Sequence, residues 1–479
     1  MSSDGRPAAQ LVSRRLSIGA IGRASATYAL GGFAYKAVAL FSVPIIARLL
    51  TPAELGVLDL AAVCASIVGL TSGLGTDQSI AFHERRLGRD GNVWGSALAM
   101  VAAVAGLLAA TAAVLREPLS QLLTGTEQNA AVVAAAGLYG AVIALSALGL
   151  TAVRLISTPR TYAVASFLIV SAEMAGALLV AWLVAVPVPW MVLAWSIGAM
   201  VVVVPLLIRF MPRWERPRRA TVARLLRFGA PLVPAAMAWI VGDVWIRSTL
   251  AREAELTTLG EYGIASRIAS VLSLAVAGFG VAWHPYLYRS RPIDVLPRAM
   301  STFGPVVLGL GALGAVITVL APEVIAIVAG PEYIGARDAV PTLTAGASAL
   351  GAFVLVAGVV GSSGSTRRVA GSALIGTAVA MGAASLLVPS LGLVGAGVAS
   401  LAGSVTATVV LIGSEPRLLK PRSAAVMGAA VAGTLAFFVA ATTAMSASFP
   451  FRVLVAAAIV AVAIGMGMLL DRTGRGDPP

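Results

Sequence analysis

Ionisable side chains within long apolar stretches are the residues of this sequence that could do chemistry. Lys36, Glu173 and Arg267 each lie near the middle of such a stretch, in a chain of which only 11% of the residues are charged. A charge in hydrocarbon is costly, so each group needs a partner or a water-filled cavity. Arginine suits a diphosphate, because its planar guanidinium can bond two oxygens at once. We therefore predict that Lys36, Arg267 and Glu173 line a cavity and contact a substrate. The alternative for each is a structural ion pair, which for Arg267 would involve the nearby Glu261.

Two carboxylates are candidates for carrying a coupling ion, namely Glu173 and Asp243. Glu173 could hold a coupling proton or pair with Lys36. Asp243 lies four residues before Arg247, so the two side chains share one helix face. They form either a self-satisfied pair near the outer surface or a cation or proton site at the outer mouth of the cavity.

Four further charged residues are predicted to lie at the mouths of the cavity: Arg48, Asp59, Asp77 and Arg247. Asp59 lies about one turn into its helix, where a carboxylate can simply favour the positive end of the helix dipole. Asp77 lies near the inner end of the same helix, close to Arg85, and a local ion pair is the simpler interpretation.

The composition predicts an all-α polytopic membrane protein. The 479 residues are 58% hydrophobic and include 50 glycines, and the mean hydropathy is +0.92. Soluble domains carry about 25% charged residues, so lipid must solvate much of this chain. A net charge of +13 would suggest nucleic acid in a soluble protein, but here the basic residues lie in short loops and indicate topology. We expect no nucleic-acid partner. With one cysteine and two widely separated histidines, we expect no metal and no cofactor either.

A membrane-spanning helix needs about 20 mostly apolar residues, and on that rule the sequence contains about fourteen. They are predicted at 25–48, 54–81, 92–115, 128–152, 160–186, 188–210, 224–250, 257–286, 298–321, 335–361, 367–388, 391–414, 422–444 and 450–470.

The distribution of basic residues supports this count. With the N-terminus inside, 26 of the 34 lysines and arginines fall in predicted inner segments and only 6 in outer ones. Both termini are therefore predicted to be cytoplasmic, in a bacterial inner membrane. A basic loop near residue 215 divides the chain into a six-helix bundle at 1–215, a second one at 216–418, and a final helix pair with a short tail at 419–479.

Several classes of enzyme lack support in the sequence. There is no nucleotide-binding Gly-rich loop, no His-Glu-x-x-His, no Cys-x-x-Cys and no Gly-x-Ser-x-Gly motif. A membrane glycosyltransferase or polymerase would usually carry a large outer loop with acidic residues, and none is present. We predict that the chain is not an enzyme.

Four short motifs resemble those of the polysaccharide transporter (O-antigen flippase) family, which belongs to the multidrug/oligosaccharidyl-lipid/polysaccharide exporter superfamily. They are PIIARLLTPAELG at 44–56, GLGTDQS at 73–79, GPEY followed by an alanine at 330–336, and LGLVGAGVAS at 391–400. Because they occur in the family's order along the chain, the resemblance covers essentially the whole sequence.

The resemblance implies two six-helix bundles around a central cavity, with alternating access. Its implied substrate is an undecaprenyl-diphosphate-linked oligosaccharide, moved from the inner to the outer leaflet for cell-surface polysaccharide biosynthesis. Membrane lipids and a polysaccharide polymerase and ligase are the implied partners. Relatives line the cavity with basic residues on the first and eighth helices, which Lys36 and Arg267 match. Ion coupling is also implied, but of a sodium site seen in one relative only Asp243 fits here. The alternatives are a cation-coupled drug or metabolite antiporter of the same superfamily, a glycosyltransferase, and a non-transporting scaffold.

Overall fold

The computed structural model is helical and contains no strand in the residues that it describes, which are 38, 42, 44–76, 79–80, 93–184, 187–210, 216–230, 233–288, 292–362 and 366–475. The first half of the chain contributes α1 (Pro52–Gly73), α2 (Val93–Val114), the short α3 (Arg116–Thr124), α4 (Ala130–Ile156), α5 (Pro159–Leu183) and α6 (Pro187–Phe210). The second half contributes α7 (Arg219–Gly229), α8 (Val233–Glu253), α9 (Leu256–Tyr288), α10 (Pro292–Val319), α11 (Ala321–Val328), a 3-10 turn (Pro331–Asp338), α12 (Val340–Ser362), α13 (Thr366–Gly413), α14 (Pro421–Ala444) and α15 (Phe449–Arg475).

Among the described helices, eleven are long and apolar enough to cross a membrane. The chain is therefore a polytopic all-α membrane protein, as predicted. Helix α8 is not one of the eleven, because Asp243 and Arg247 lower its hydropathy. Of the first predicted helix, 25–48, only its last turn and two earlier residues are described. The count of fourteen accordingly stays a prediction.

Helix α13 contains two membrane-spanning arms. Its 48 residues are too many for one crossing of about 30 Å of hydrocarbon, and Gly392 inside it has the non-helical angles φ 51° and ψ −123°. The arms then run back along each other, since a β carbon on Gly403 would lie 2.7 Å from the Cβ of Ala380. Gly395 similarly faces Leu387 across the turn. The arms match the helices predicted at 367–388 and 391–414.

Helix α1 begins with a complete capping box at Thr51. The Thr51 hydroxyl accepts from the Glu54 backbone N–H, and the Glu54 carboxylate accepts from the Thr51 N–H at 2.9 Å. Pro52 at the first helical position lacks the N–H that would otherwise be unpaired there. The helix ends at Gly73, because Leu74 adopts a left-handed φ of 48°. The span predicted at 54–81 is thus interrupted at Leu74 and Gly75, and Thr76, Ser79 and Ile80 beyond them are helical again.

The helix predicted at 224–250 is in fact two helices, α7 and α8. Pro231 lies between them and Pro234 is the second residue of α8, and both lack the N–H that a continuous helix requires. Helix α7 is amphipathic: Thr221 and Leu225 are buried, whereas its arginines are exposed. The Ser79 hydroxyl donates to the Leu225 carbonyl at 3.0 Å, so α7 packs against the chain just beyond the far end of α1.

Gly392 offers a test of the hairpin within α13. An alanine there would have to hold a φ of 51°, which costs a residue with a β carbon about 1–3 kcal/mol. We expect Gly392→Ala to lower the thermal unfolding temperature in detergent, followed by tryptophan fluorescence. The control is Gly382→Ala in the first arm, where a β carbon meets no atom within 4 Å. Equal unfolding temperatures of the two variants would argue against a strained turn at Gly392.

Candidate functional site

The two halves of the chain come into close backbone contact where α1 and α9 begin, which we call the Thr51 end. A β carbon on Gly56 would lie 2.7 Å from the Gly260 backbone nitrogen, and one on Gly260 would overlap the carbonyl of Pro52. Only glycine permits such an approach of two backbones. Further along α9, Gly263 leaves room for the side chain of Asp59, whose Oδ2 would be 3.1 Å from a β carbon there.

Asp59 of α1 bonds to two arginines of the second half. Its Oδ2 accepts from Arg247 Nη1 of α8, and its Oδ1 accepts from Arg267 Nη2 of α9 at 3.2 Å. One carboxylate therefore joins three helices from two halves of the chain. Charge-assisted bonds of this kind are about twice as strong as neutral ones.

Arg247 uses its other donors within the second half. Its Nε donates to Asp243 Oδ2 at 3.0 Å, and its Nη2 donates to the Ser266 hydroxyl at 3.1 Å. The guanidinium also lies 5.0 Å from the centre of the Tyr262 ring, a cation–π distance. The two arginines, Asp59 and Asp243 form what we call the Asp59 cluster, in which the formal charges cancel.

Burial makes this pairing necessary. Asp59 is 7% exposed and Arg247 is 5% exposed, so neither charge is compensated by water. Removing one partner of a buried ion pair typically costs about 3–5 kcal/mol, because it leaves the other charge uncompensated. Arg267 is less enclosed, with 24% of its side chain exposed, yet its Nη1 atom is buried and has no hydrogen-bond partner in the described part of the chain.

The residues before α1 add further contacts at the Thr51 end. Arg48 Nη2 donates to the Ile327 carbonyl at 3.1 Å, and the Tyr333 hydroxyl donates to the Leu50 carbonyl at 3.0 Å. Tyr333 lies in the 3-10 turn between α11 and α12, and burial raises the pKa of its phenol, which therefore stays a donor. Both contacts join the first half to the second, so the halves are in contact at the end predicted to be outside.

Partly exposed side chains continue from the cluster toward the opposite end of α1. On α1 they are Ser66 and Leu70, which share the face of Asp59, and on α9 they are Ser270 and Ser273. Asp243 is itself 37% exposed. The cluster is therefore only partly enclosed, whereas at the Thr51 end the two halves are in contact.

Glu173 lies apart from the Asp59 cluster, inside the first half. It is buried in α5 and hydrogen-bonded to Tyr139 of α4. The Tyr139 ring packs against Trp195 of α6, with 5.2 Å between ring centres. No cationic side chain among the described residues pairs with Glu173. The structure thus does not bring Glu173 together with Arg267.

The structure changes how several predicted residues are interpreted. The Asp243–Arg247 pair that the spacing suggested is present. Arg267 pairs with Asp59 and not with Glu261, which instead accepts from the Gly335 backbone N–H. Lys36 and Asp77 lie outside the described residues, so their roles stay predictions.

Asp59 is not a simple N-terminal residue of α1, because Thr51 and Glu54 cap the helix. Ser266 and Tyr262 were missed altogether. The signal that could have found this site is the set of small residues Gly56, Gly260 and Gly263, whose spacing marks a close contact between two helices.

Comparison with solved structures identifies the class of fold. The lipid II flippase MurJ in its inward closed conformation matches with a TM-score of 0.68 at 11% identity, over 93% of this chain and 98% of that one. An inward-facing multidrug resistance MATE family transporter of the MOP superfamily matches with a TM-score of 0.68 at 16% identity, over 80% and 94%. A MOP superfamily transporter from Pyrococcus furiosus matches with a TM-score of 0.59 at 15% identity, over 83% and 95%. The chain thus has the fold of the MOP membrane transporters.

The family follows from the sequence itself. The model of the polysaccharide biosynthesis protein family matches residues 21–291, which is more than half of the chain. The chain therefore belongs to this polysaccharide biosynthesis protein family. No protein of curated function matches the sequence. The matched structures are of transporters and a flippase.

The two acidic residues of the cluster give a matched pair of variants. In Asp243→Asn, Arg247 keeps Asp59, whereas in Asp59→Asn both arginines lose the carboxylate that reaches them across the two halves. We expect Asp59→Asn to lower stability by about 3–5 kcal/mol and Asp243→Asn to lower it by clearly less. Thermal unfolding in detergent measures both. A larger loss in Asp243→Asn would contradict the central position of Asp59.

Proposed function

We propose that this protein is a flippase that moves an undecaprenyl-diphosphate-linked oligosaccharide from the inner to the outer leaflet by alternating access, for cell-surface polysaccharide biosynthesis. The observation that carries the proposal is the pair Arg247 and Arg267, held where the two halves meet and beside a partly exposed polar surface. Two guanidinium groups at one place suit a diphosphate. The family model and the likeness to a lipid II flippase support a lipid-linked substrate.

The physical need for such a protein follows from the substrate. Each hydroxyl of a sugar that entered hydrocarbon would lose its hydrogen bonds to water without replacement, at a cost of several kcal/mol. A polar path between the two halves would replace the lost hydrogen bonds of the hydroxyls. Cations along it would compensate the charge of the diphosphate. The serines that follow the cluster along α1 and α9 are suited to such a path.

The remaining parts of the proposal concern residues outside the cluster. Lys36 serves as a further cation for the diphosphate or for acidic sugars. Glu173 carries the coupling ion, for which its burial and its hydrogen bond to Tyr139 suit a proton better than a metal ion that needs several oxygens. Asp243, already held by Arg247, is the weaker candidate. Both termini lie in the cytoplasm of a bacterial cell, and a polysaccharide polymerase and ligase act on the flipped product.

A cation-coupled drug or metabolite antiporter is the second candidate. The likeness to a multidrug transporter, with the same TM-score as the flippase, favours it. A cationic drug would need free carboxylates, however, and both oxygens of Asp59 are bonded to arginines. The arginines of the cluster can donate to an anion, whereas Asp59 has no free oxygen to bind a cation.

Lipid flipping in proteoliposomes tests the proposal. Purified protein is reconstituted with a fluorescent undecaprenyl-diphosphate sugar, and an added glycosidase reports the exposed leaflet. We expect flipping by the wild type and a loss of about tenfold or more in Arg267→Ala and Lys36→Ala, because a hydrogen bond to a charged group contributes about 1.5–3 kcal/mol.

The matched control is Arg116→Ala, which removes an arginine that is half exposed on α3. It should flip lipid at the wild-type rate. Export of a cationic dye by the wild type, with no flipping of any lipid-linked sugar, would favour the antiporter. Normal flipping by both cavity variants would keep the flippase and reject the assigned cations.

A further inference from the structure

Helix α7 presents a face of exposed arginines on the side of the chain that is predicted to be cytoplasmic. Arg219, Arg224 and Arg227 are all exposed, and the helical repeat places them within a sector of about 140° around the helix. No carboxylate among the described residues forms an ion pair with any of the three. The sequence from 216 to 242 contains no aspartate or glutamate, so the positive charge of this face is not offset locally.

The opposite face of α7 is docked on the first half of the chain. Thr221, Leu225 and Gly229 are buried on that face. The Leu225 carbonyl accepts from the Ser79 hydroxyl at 3.0 Å, and a β carbon on Gly229 would overlap the Leu74 carbonyl. Because this face is held against the protein, the arginines point away from it.

The end of α6 shows where the hydrocarbon of the membrane stops. Ile208 is 74% exposed, as expected of a side chain that faces lipid, and the next residue, Arg209, is exposed as well. An arginine that directly follows an apolar membrane-spanning segment lies at the level of the lipid headgroups. Phe210 of α6 and Leu226 of α7 pack against the same buried core, which contains Trp94. Helix α7 therefore lies beside this end of α6, at headgroup level.

Helix α7 is electrostatically unfavourable without an anionic partner. Arg218 and Arg219 lie at its first turn, where the positive end of the helix dipole repels them, and neither a capping side chain nor an acidic residue is present there. Arg224 and Arg227 are three residues apart, a spacing at which like charges on a helix repel each other. Anionic groups against this face would remove both penalties.

We infer that Arg219, Arg224 and Arg227 form a binding surface for the headgroups of anionic phospholipids. The phosphate of such a lipid can accept two parallel hydrogen bonds from one guanidinium. Its net negative charge distinguishes it from a zwitterionic lipid, which offers the same phosphate without that charge. The surface is separate from the Asp59 cluster and takes ordinary membrane lipid, so the inference does not depend on the proposed function.

The position of α7 gives this lipid contact a structural consequence. The helix is docked on the first half, yet only three residues separate Gly229 from Val233, where α8 of the second half begins. Anionic lipid that offsets the repulsion between the arginines stabilises α7 in its docked position. Lipid at this surface thus holds the link between the two halves against the membrane.

Lipid selectivity at α7 tests the surface in the full chain. Protein with Cys64→Ala carries a fluorescent bimane at Ala223→Cys, an exposed position among the arginines, and is reconstituted in phosphatidylcholine nanodiscs. The quencher is phosphatidylglycerol or phosphatidylcholine with a nitroxide high on one acyl chain. We expect phosphatidylglycerol to associate about tenfold more strongly or better, because each basic residue near an anionic surface strengthens binding about fivefold.

Substitutions of the three arginines separate charge from other causes. Glutamine at all three positions should reduce the preference for phosphatidylglycerol to about twofold or less, whereas lysine at all three should retain most of it. Salt at about 0.5 M should weaken the wild-type preference, because it screens exposed charges. The matched control is Arg367→Gln, which removes an exposed arginine at the start of α13, on the same predicted side of the membrane. It should leave the preference unchanged.

Hydrogen exchange measures the effect of the lipid on the helix itself. We expect the backbone amides of 222–229 to exchange about fivefold more slowly in nanodiscs that contain phosphatidylglycerol than in phosphatidylcholine alone, because opening of a helix is suppressed by a ligand that binds only its docked form. The variant with three glutamines should show no such difference.

Three results would overturn the surface. One is equal quenching of the wild type by the two labelled lipids, which needs no variant and so decides the matter even if the substituted chains do not fold. Another is a preference that survives the three glutamine substitutions, because the lipid would then lie elsewhere. The third is binding of polyglutamate by these arginines without any lipid preference, which would assign the face to an acidic protein partner. A protein that flips no lipid-linked sugar can still show the expected selectivity, so the two proposals fail separately.

Discussion

The carboxylate of Asp59 must be neutralised where it lies, and much of the contact between the two halves follows from that need. Asp59 is buried, and the residues that flank it in α1 are apolar. The side chains that pair with it therefore come from other helices. Arg247 and Arg267 do so from α8 and α9. Two long side chains can converge on one short one only if the backbones come close. The glycines at 56, 260 and 263 provide that closeness, because each leaves the space that a β carbon would fill.

The residues just before α1 also contribute to the contact between the halves. Thr51 caps α1 together with Glu54. The Leu50 carbonyl accepts from the Tyr333 hydroxyl, and Arg48 donates to the Ile327 carbonyl. Helix capping and contact between the halves are thus performed by one short stretch of sequence. A rotation of α1 away from α9 would break the contacts of Leu50, Arg48 and Asp59 together, which makes the Thr51 end cooperative.

Much of the fold was predictable because it depends on local properties. Apolar length located most of the helices, and the Thr51–Glu54 capping box is visible as a threonine followed three residues later by a glutamate. The division of α13 was also predicted, as helices at 367–388 and 391–414, and Pro389 and Gly392 lie where the two arms meet. The end of α1 at Leu74 was not, because a leucine in a left-handed conformation has no signal in the sequence.

The candidate site was only partly predictable, for a different reason. Helical spacing says which residues share a face, and it correctly joined Asp243 to Arg247. It cannot say which face of which helix lies opposite. Asp59 and Arg267 are 208 positions apart in the chain, so their pairing could not be read from spacing. The cost of burying each charge indicated that partners must exist without identifying them.

The energetics of a buried ion pair suit a contact that must form and break. Coulomb attraction in the interior is large, but the loss of hydration by the charges offsets much of it, so the net stabilisation of such a pair is small. Leaving either charge unpaired in the interior is nevertheless strongly destabilising. A contact of this kind can separate only if each of its charges gains water or another partner. An apolar contact of equal area between α1 and α9 would lack this dependence on charge. The charged cluster at the junction of the halves therefore joins them specifically without making the contact permanent.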